Sequence, residues 1–223
     1  MENEKNTTNV GVLSYTHEHS VESYTINSLG EDFEVDIPPQ NVLMCVCAYN
    51  IARTQKEIGS EGRIITVGGT AKTNKRILER MNSITGDDIE IISLEESNSI
   101  GTNISSLSKI PGDIIILSQE FAKWRTKRHS QHYFKNNNFQ VKAWEEFISE
   151  NDVLDFSKFE WSVIEEIAPI LKVPYNRTVV ELGLIGLALV NPSGSIIQII
   201  ANKRETKRKE NWKTNIFTKT GTD

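Results

Sequence analysis

Cys47 and Arg53 stand six positions apart, with Thr54 directly behind the arginine, in the stretch NVLMCVCAYNIART that runs from Asn41 to Thr54. A thiol, five residues and a guanidinium, set behind a buried strand, form a layout suited to attack on phosphorus. The intervening amides of Ala48, Tyr49, Asn50, Ile51 and Ala52 would wrap a phosphate, and Arg53 would close the ring with two parallel hydrogen bonds. A helix starting behind this loop would add its positive end. The same field would hold Cys47 as a thiolate, the form in which sulfur attacks. The competing reading makes Cys45 and Cys47 two small buried hydrophobes. Neighbours on one strand are poorly placed to bond to each other, so no disulfide framework is expected.

The segment CAYNIART resembles the phosphate loop of the low-molecular-weight protein tyrosine phosphatase family, C-x-G-N-x-x-R-S. Cys47, Asn50 and Arg53 fall on its positions, Thr54 stands for its serine, and Tyr49 replaces its glycine. The resemblance implies hydrolysis of a phosphomonoester through a cysteinyl-phosphate, without metal or cofactor. In it Asn50 would hold the loop, Thr54 would support the thiolate, and an aspartate would protonate the leaving oxygen. The family's Asp-Pro motif corresponds to residues 151–156, with Asp155 the first candidate acid, Asp152 the second, and Phe156 in place of proline. Asp155 or Ser157 also reads as the N-cap of a following helix. The resemblance spans residues 41–171 and includes the turn Gly68-Gly69-Thr70, similar to the family's Ser-Ala-Gly-Thr turn. The helix between loop and next strand is about half the family's usual length.

The elements that must position these residues follow from hydrophobic spacing. Residues 42–46 read as a buried strand delivering Cys47. Before it, residues 1–9 read as disordered, 22–27 and 33–37 as a hairpin, and Pro38-Pro39 as a break. After it come a strand at 63–67, a helix at 73–82 burying Ile77, Leu78 and Met81, and a strand at 88–94. Residues 95–109 are polar and read as a loop or poorly formed helix. A strand at 113–117, a basic helix at 119–128 and a strand region at 141–147 follow. A helix at 158–171 shows a stripe of Phe159, Val163, Ile164 and Ile167. This order predicts an α/β fold, a parallel sheet with helices on both faces, with N-terminal and C-terminal β-hairpin additions. A ligand would sit outside the carboxyl end of the first parallel strand. The expected divisions are a leader at 1–40, the α/β domain at 41–171 and an extension at 172–223. In that extension a turn at Asn191-Pro192-Ser193-Gly194 precedes the β-rich run 195–201.

The 223 residues are 38% hydrophobic and 25% charged, an ordinary globular composition. A net charge of −5 argues against a wholly basic nucleic-acid binder. Local patches remain: Lys123, Arg125, Lys127, Arg128 and His129 surround Trp124, and Lys203, Arg204, Lys207, Arg208 and Lys209 precede Trp212. The second run can neutralise phosphates while the tryptophan stacks on a base. His17 and His19 lack cysteine or carboxylate company and read as solvated rather than metal-binding. The polar opening MENEKNTTNV is no signal peptide, and no run reaches membrane-spanning length, so a cytoplasmic location is expected. A second functional reading stands beside the phosphatase: a non-catalytic α/β module that binds a protein partner or nucleic acid.

Overall fold

The computed structural model describes residues 7–14, 21–95, 99–135, 138–149 and 155–171. Strand β1 (Thr7–Leu13) leads to a short antiparallel pair, β2 (Tyr24–Thr25) and β3 (Glu34–Val35), and then to helix α1 (Pro39–Glu57). There follow β4 (Glu61–Val67), α2 (Ala71–Thr85), β5 (Glu90–Leu94), α3 (Ile100–Leu107) and β6 (Asp113–Ser118). The described chain ends with α4 (Glu120–Tyr133), β7 (Phe139–Ala143), α5 (Trp144–Ser149), α6 (Lys158–Ile167) and one turn of 3₁₀ helix. The sheet order is β5-β4-β1-β6-β7, every pair parallel. The chain winds outward from β1 to β5, then returns across the sheet to β6 and β7. Such a reversal leaves a crevice at the carboxyl ends of β1 and β6.

Alternation along the strands sends side chains to two separate cores. Val10 and Val12 of β1, Ile64 of β4 and Leu117 of β6 join the core under α1, α2 and α6. Leu13, Ile65, Val67, Ile114 and Ile116 face the opposite way, into the core under α3 and α4. Both faces are therefore covered, as a parallel sheet requires.

Two expectations are corrected. Residues 7–9 lie in the segment 1–9 that reads as disordered and residues 10–13 in a stretch with no assigned element, yet β1 is the central strand, hydrogen-bonded on both sides. Its sequence TTNVGVL carries few large apolar groups because its neighbours come close. A Cβ on Gly11 would fall 2.9 Å from Leu107 Cδ1. The division at residue 41 accordingly cuts through the sheet. Second, residues 42–46 are not a strand but the second turn of α1. Pro39 opens that helix at a first-turn position, where its missing N–H costs nothing. Every residue from Gln40 to Ala52 is buried, because α1 lies on β1 and β4 and is flanked by α2, α5 and α6. A helix buried all round loses the polar stripe that marks helical periodicity, so its apolar run mimics a strand.

The remaining elements fall close to their sequence positions, with three refinements. Residues 100–107 form a complete helix, because Ser99 and Thr102 close a reciprocal capping box. Helix α6 starts from Ser157, paired with Glu160 in a second capping box, so Asp155 is not the cap. Its stripe buries Val163, Ile164 and Ile167, with Phe159 half-buried. The strand region at 141–147 is divided between β7 and α5. The C-terminal hairpin, Asp152, the basic run 203–209 and Trp212 lie outside the described residues.

Candidate functional site

The geometry around Cys47 differs from a phosphate loop. Cys47 is fully buried in mid-helix, its Sγ facing the Trp144 carbonyl at 3.9 Å. Burial pushes its thiol well above the ordinary value of 9.0, and the charges of Glu145 and Glu160 and the neighbouring Cys45 push the same way. This is the opposite of an activated nucleophile. The amides of residues 48–52 lie inside α1 and serve its own ladder rather than an anion. Six helical residues separate Cys47 from Arg53 by roughly 9 Å of rise and about 120° of rotation, so thiol and guanidinium face different ways.

Three of the expected site residues do meet, in another role. Arg53 Nη1 donates to Glu57 Oε1 at 2.8 Å, and Nη2 donates to Glu160 Oε2 at 3.2 Å and to the Asp155 carbonyl at 3.1 Å. Asn50 Nδ2 donates to the same carbonyl at 2.9 Å and to Glu160 Oε2 at 3.0 Å. Asp155 thus contributes its backbone, while its side chain is exposed. The cluster clasps α1 to the start of α6 around the buried Glu160 carboxylate. Tyr49 donates its phenol to Asp87 Oδ2 at 2.6 Å and contacts Thr85 Oγ1. Ala48, Ile51 and Ala52 pack in the core, and the Thr54 carbonyl accepts the Ile58 amide.

A different set of polar groups gathers at the carboxyl ends of the central strands. Register carries Ser14, one residue past β1, level with Gly68 beyond β4 and Gln119 beyond β6. Ser14 N donates to Val67 O at 2.9 Å, and Ser14 Oγ accepts the Thr70 amide at 2.8 Å and contacts Thr70 Oγ1. Asn41, from the first turn of α1, donates Nδ2 to Thr70 Oγ1 at 2.7 Å. Asn103, from the first turn of α3, donates Nδ2 to the Ser14 carbonyl at 3.2 Å. Asn41 and Asn103 are at most 1% exposed, and so is Gln119, yet Asn41 Oδ1, Asn103 Oδ1 and Gln119 Oε1 have no hydrogen-bond partner among the described residues. Gly68 adopts a positive φ of 97°, and a Cβ there would meet Ser14 Cβ at 2.7 Å and both side-chain heteroatoms of Asn103 near 3 Å. Only glycine fits this turn.

The strand-to-helix connections bring the N-termini of α2 and α4 to this same edge, and α1 and α3 each contribute a first-turn asparagine. Thr70 at the start of α2 makes no side-chain cap, since its hydroxyl is engaged by Ser14 and Asn41. Next to the start of α2, Lys72, Lys75 and Arg76 line a groove of about 700 Å³ together with Glu34, Asp36, Glu79 and Glu95. The mixed charges there favour no single ligand sign. The expected basic patch on α4 is divided: Trp124 and Lys127 are exposed, but Arg125 and His129 are buried. Among the described residues no group of three or more His, Cys, Asp or Glu side chains is placed to hold a metal ion, and no helix is long and apolar enough to cross a membrane.

Of the edge residues, spacing singled out only the Gly68-Gly69-Thr70 turn. Ser14 falls between the run 1–9, which reads as disordered, and the hairpin that starts at residue 22, where periodicity assigns no element. Asn103 falls in the run 95–109, which reads as a loop or poorly formed helix, and Asn41 directly precedes the expected strand at 42–46. Fold and site together define a Rossmann-like α/β protein with a cluster of buried polar side chains at its strand carboxyl ends. No protein-family model matches the chain, no curated protein is similar to it, and no solved structure matches it.

Proposed function

We propose that this chain binds a small polar ligand in the crevice around Ser14, without using a cysteine nucleophile. The observation that carries the reading is that Asn41 and Asn103, buried and each with an unpartnered side-chain oxygen, are tied to Thr70 and Ser14 at the topological reversal of the sheet, with the buried Gln119 level with Ser14 at the neighbouring strand end. A buried polar atom without a partner costs roughly 1–3 kcal/mol. Three such atoms at the carboxyl ends of adjacent strands fit groups kept to receive a ligand. The strand order, 3-2-1-4-5 in chain sequence, is the arrangement whose reversal point serves ligands in open α/β sheets. A cysteinyl-phosphate route, the activity implied by the phosphatase resemblance, would require Cys47 to leave the middle of α1, and the buried neutral thiol gives it no support.

The test is native mass spectrometry of the full chain, combined with thermal shift against nucleotides, sugar phosphates and inorganic phosphate. A ligand at about 100 times its Kd stabilises by about 2.7 kcal/mol, a shift of roughly 5–11 °C for a domain of this size. The shift is expected to vanish in Gly68→Val and to shrink in Ser14→Ala. Absence of any retained molecule and of any shift across the panel would sink the proposal.

A further inference from the structure

We propose that the outward face of α4 binds single-stranded nucleic acid, with a base stacked on Trp124 and phosphates held by Lys127, Arg128 and Lys135. The proposal is independent of the crevice around Ser14. At about 100° per residue, Trp124, Lys127, Arg128 and Gln131 fall in one stripe along α4, and the exposed Lys135 lies just past the helix end. The buried residues Ala122, Arg125, Thr126, His129 and Ser130 occupy the opposite side, so the stripe points to solvent. Trp124, Lys127 and Gln131 are exposed, and Arg128 is half-buried.

Two observations point to a ligand. The indole of Trp124 is 45% exposed, and no ring or hydrogen-bond partner engages it among the described residues. A large amphipathic ring left on the surface suits a contact site. The cations beside it are also idle. Glu120 and Glu146 pair with Lys123, but Lys127, Arg128 and Lys135 have no ion pair among the described residues. A chain of net charge −5 thus keeps these cations unneutralised around one open ring. Lys127 and Arg128 stand one turn from Trp124, about 5 Å of rise. Phosphates neutralise such cations, and any base can stack on the ring because every base has a π-face. An acidic peptide would satisfy the cations and leave the indole bare. The same pairing of cations with a tryptophan recurs in the sequence at residues 203–212.

Fluorescence anisotropy of a labelled deoxythymidine strand of about 20 nucleotides, titrated with the full chain between about 50 and 200 mM salt, tests this. Affinity should fall as salt rises, and the single strand should bind at least about tenfold tighter than its duplex, whose bases are already stacked. Trp124→Ala should weaken binding by about tenfold or more, and Trp124→Phe should retain most of it. Lys127→Gln/Lys135→Gln should flatten the slope of log affinity against log salt by about 1.4. All three positions are exposed, so these variants keep the fold, which circular dichroism checks. Binding that ignores the α4 variants but is lost in Lys207→Gln/Arg208→Gln/Lys209→Gln assigns it to the tail and overturns the proposal. Tighter binding of the duplex, or of a poly-glutamate peptide, overturns it too. So does an absence of binding at the lowest salt.

Discussion

Arg53 shows how a side chain chosen for chemistry by its spacing can be engaged in architecture. Its guanidinium bridges Glu57, the Asp155 carbonyl and Glu160, and the Glu160 carboxylate is wholly buried. Arg53→Met should cost about 2 kcal/mol by urea denaturation, less than the 3–5 kcal/mol for a fully buried pair because Arg53 is 22% exposed. A double-mutant cycle with Glu160→Gln should return a coupling near 1 kcal/mol; additivity would remove Arg53 from the clasp. For the cysteines, iodoacetamide should label neither Cys45 nor Cys47 in the folded chain at neutral pH, since both are fully buried. Labelling is expected to track unfolding. Rapid alkylation of Cys47 that phosphate suppresses would restore the thiolate reading. At this scale the sequence singled out Asn50, Arg53 and Asp155, which do meet. It could not show that they meet through a carbonyl and a carboxylate from a helix about a hundred residues away.

Helix α1 is the element on which sequence and structure part. Its burial from Gln40 to Ala52 removed the polar face that distinguishes a surface helix from a strand. The close approach behind it was legible only as a glycine: a Cβ on Gly62 would collide with the Ala52 carbonyl. Gly62→Ala should therefore destabilise by about 2–3 kcal/mol in denaturant melts, through forced separation of α1 from β4. An unchanged midpoint would mean that the helix has room to shift. The caps were more readable. Ser157 was one of two candidates for the start of α6, and the structure selects it because its side chain accepts the Glu160 amide while Glu160 reaches back to the Ser157 amide at 2.6 Å. Ser157→Ala should cost about 1 kcal/mol. The cap of α3 is built the same way, and its buried Ile100, Ile104 and Leu107 keep a helical period, but over only two turns inside the polar run 95–109.

For the whole molecule, stability should depend on alkaline pH through groups buried on the α1 face. Burial raises the thiols of both Cys45 and Cys47 above the ordinary 9.0, so the folded chain keeps protons that the unfolded chain releases. The contribution is complete below pH 9 and is lost as pH rises further. Each thiol adds about 1.4 kcal/mol of loss per pH unit there. Urea midpoints measured from pH 7 to 10.5 should fall more steeply in the native chain than in Cys45→Ala/Cys47→Ala, and parallel slopes would contradict the burial. What the sequence by itself determined was the class: strands and helices alternating at β4, α2, β5, β6 and α4, each signalled by its own local period, imply a layered parallel sheet. What only the tertiary structure decided was which strand is central, what α1 is and where the polar crevice lies. Those depend on contacts between residues far apart in the chain: Ser14 with Thr70 and Asn103, Asn41 with Thr70, β1 between β4 and β6. Local hydrophobic periodicity reports how one segment meets solvent. It holds no record of which distant segment replaces that solvent, so the site formed by strand ends from three parts of the chain had to wait for the fold.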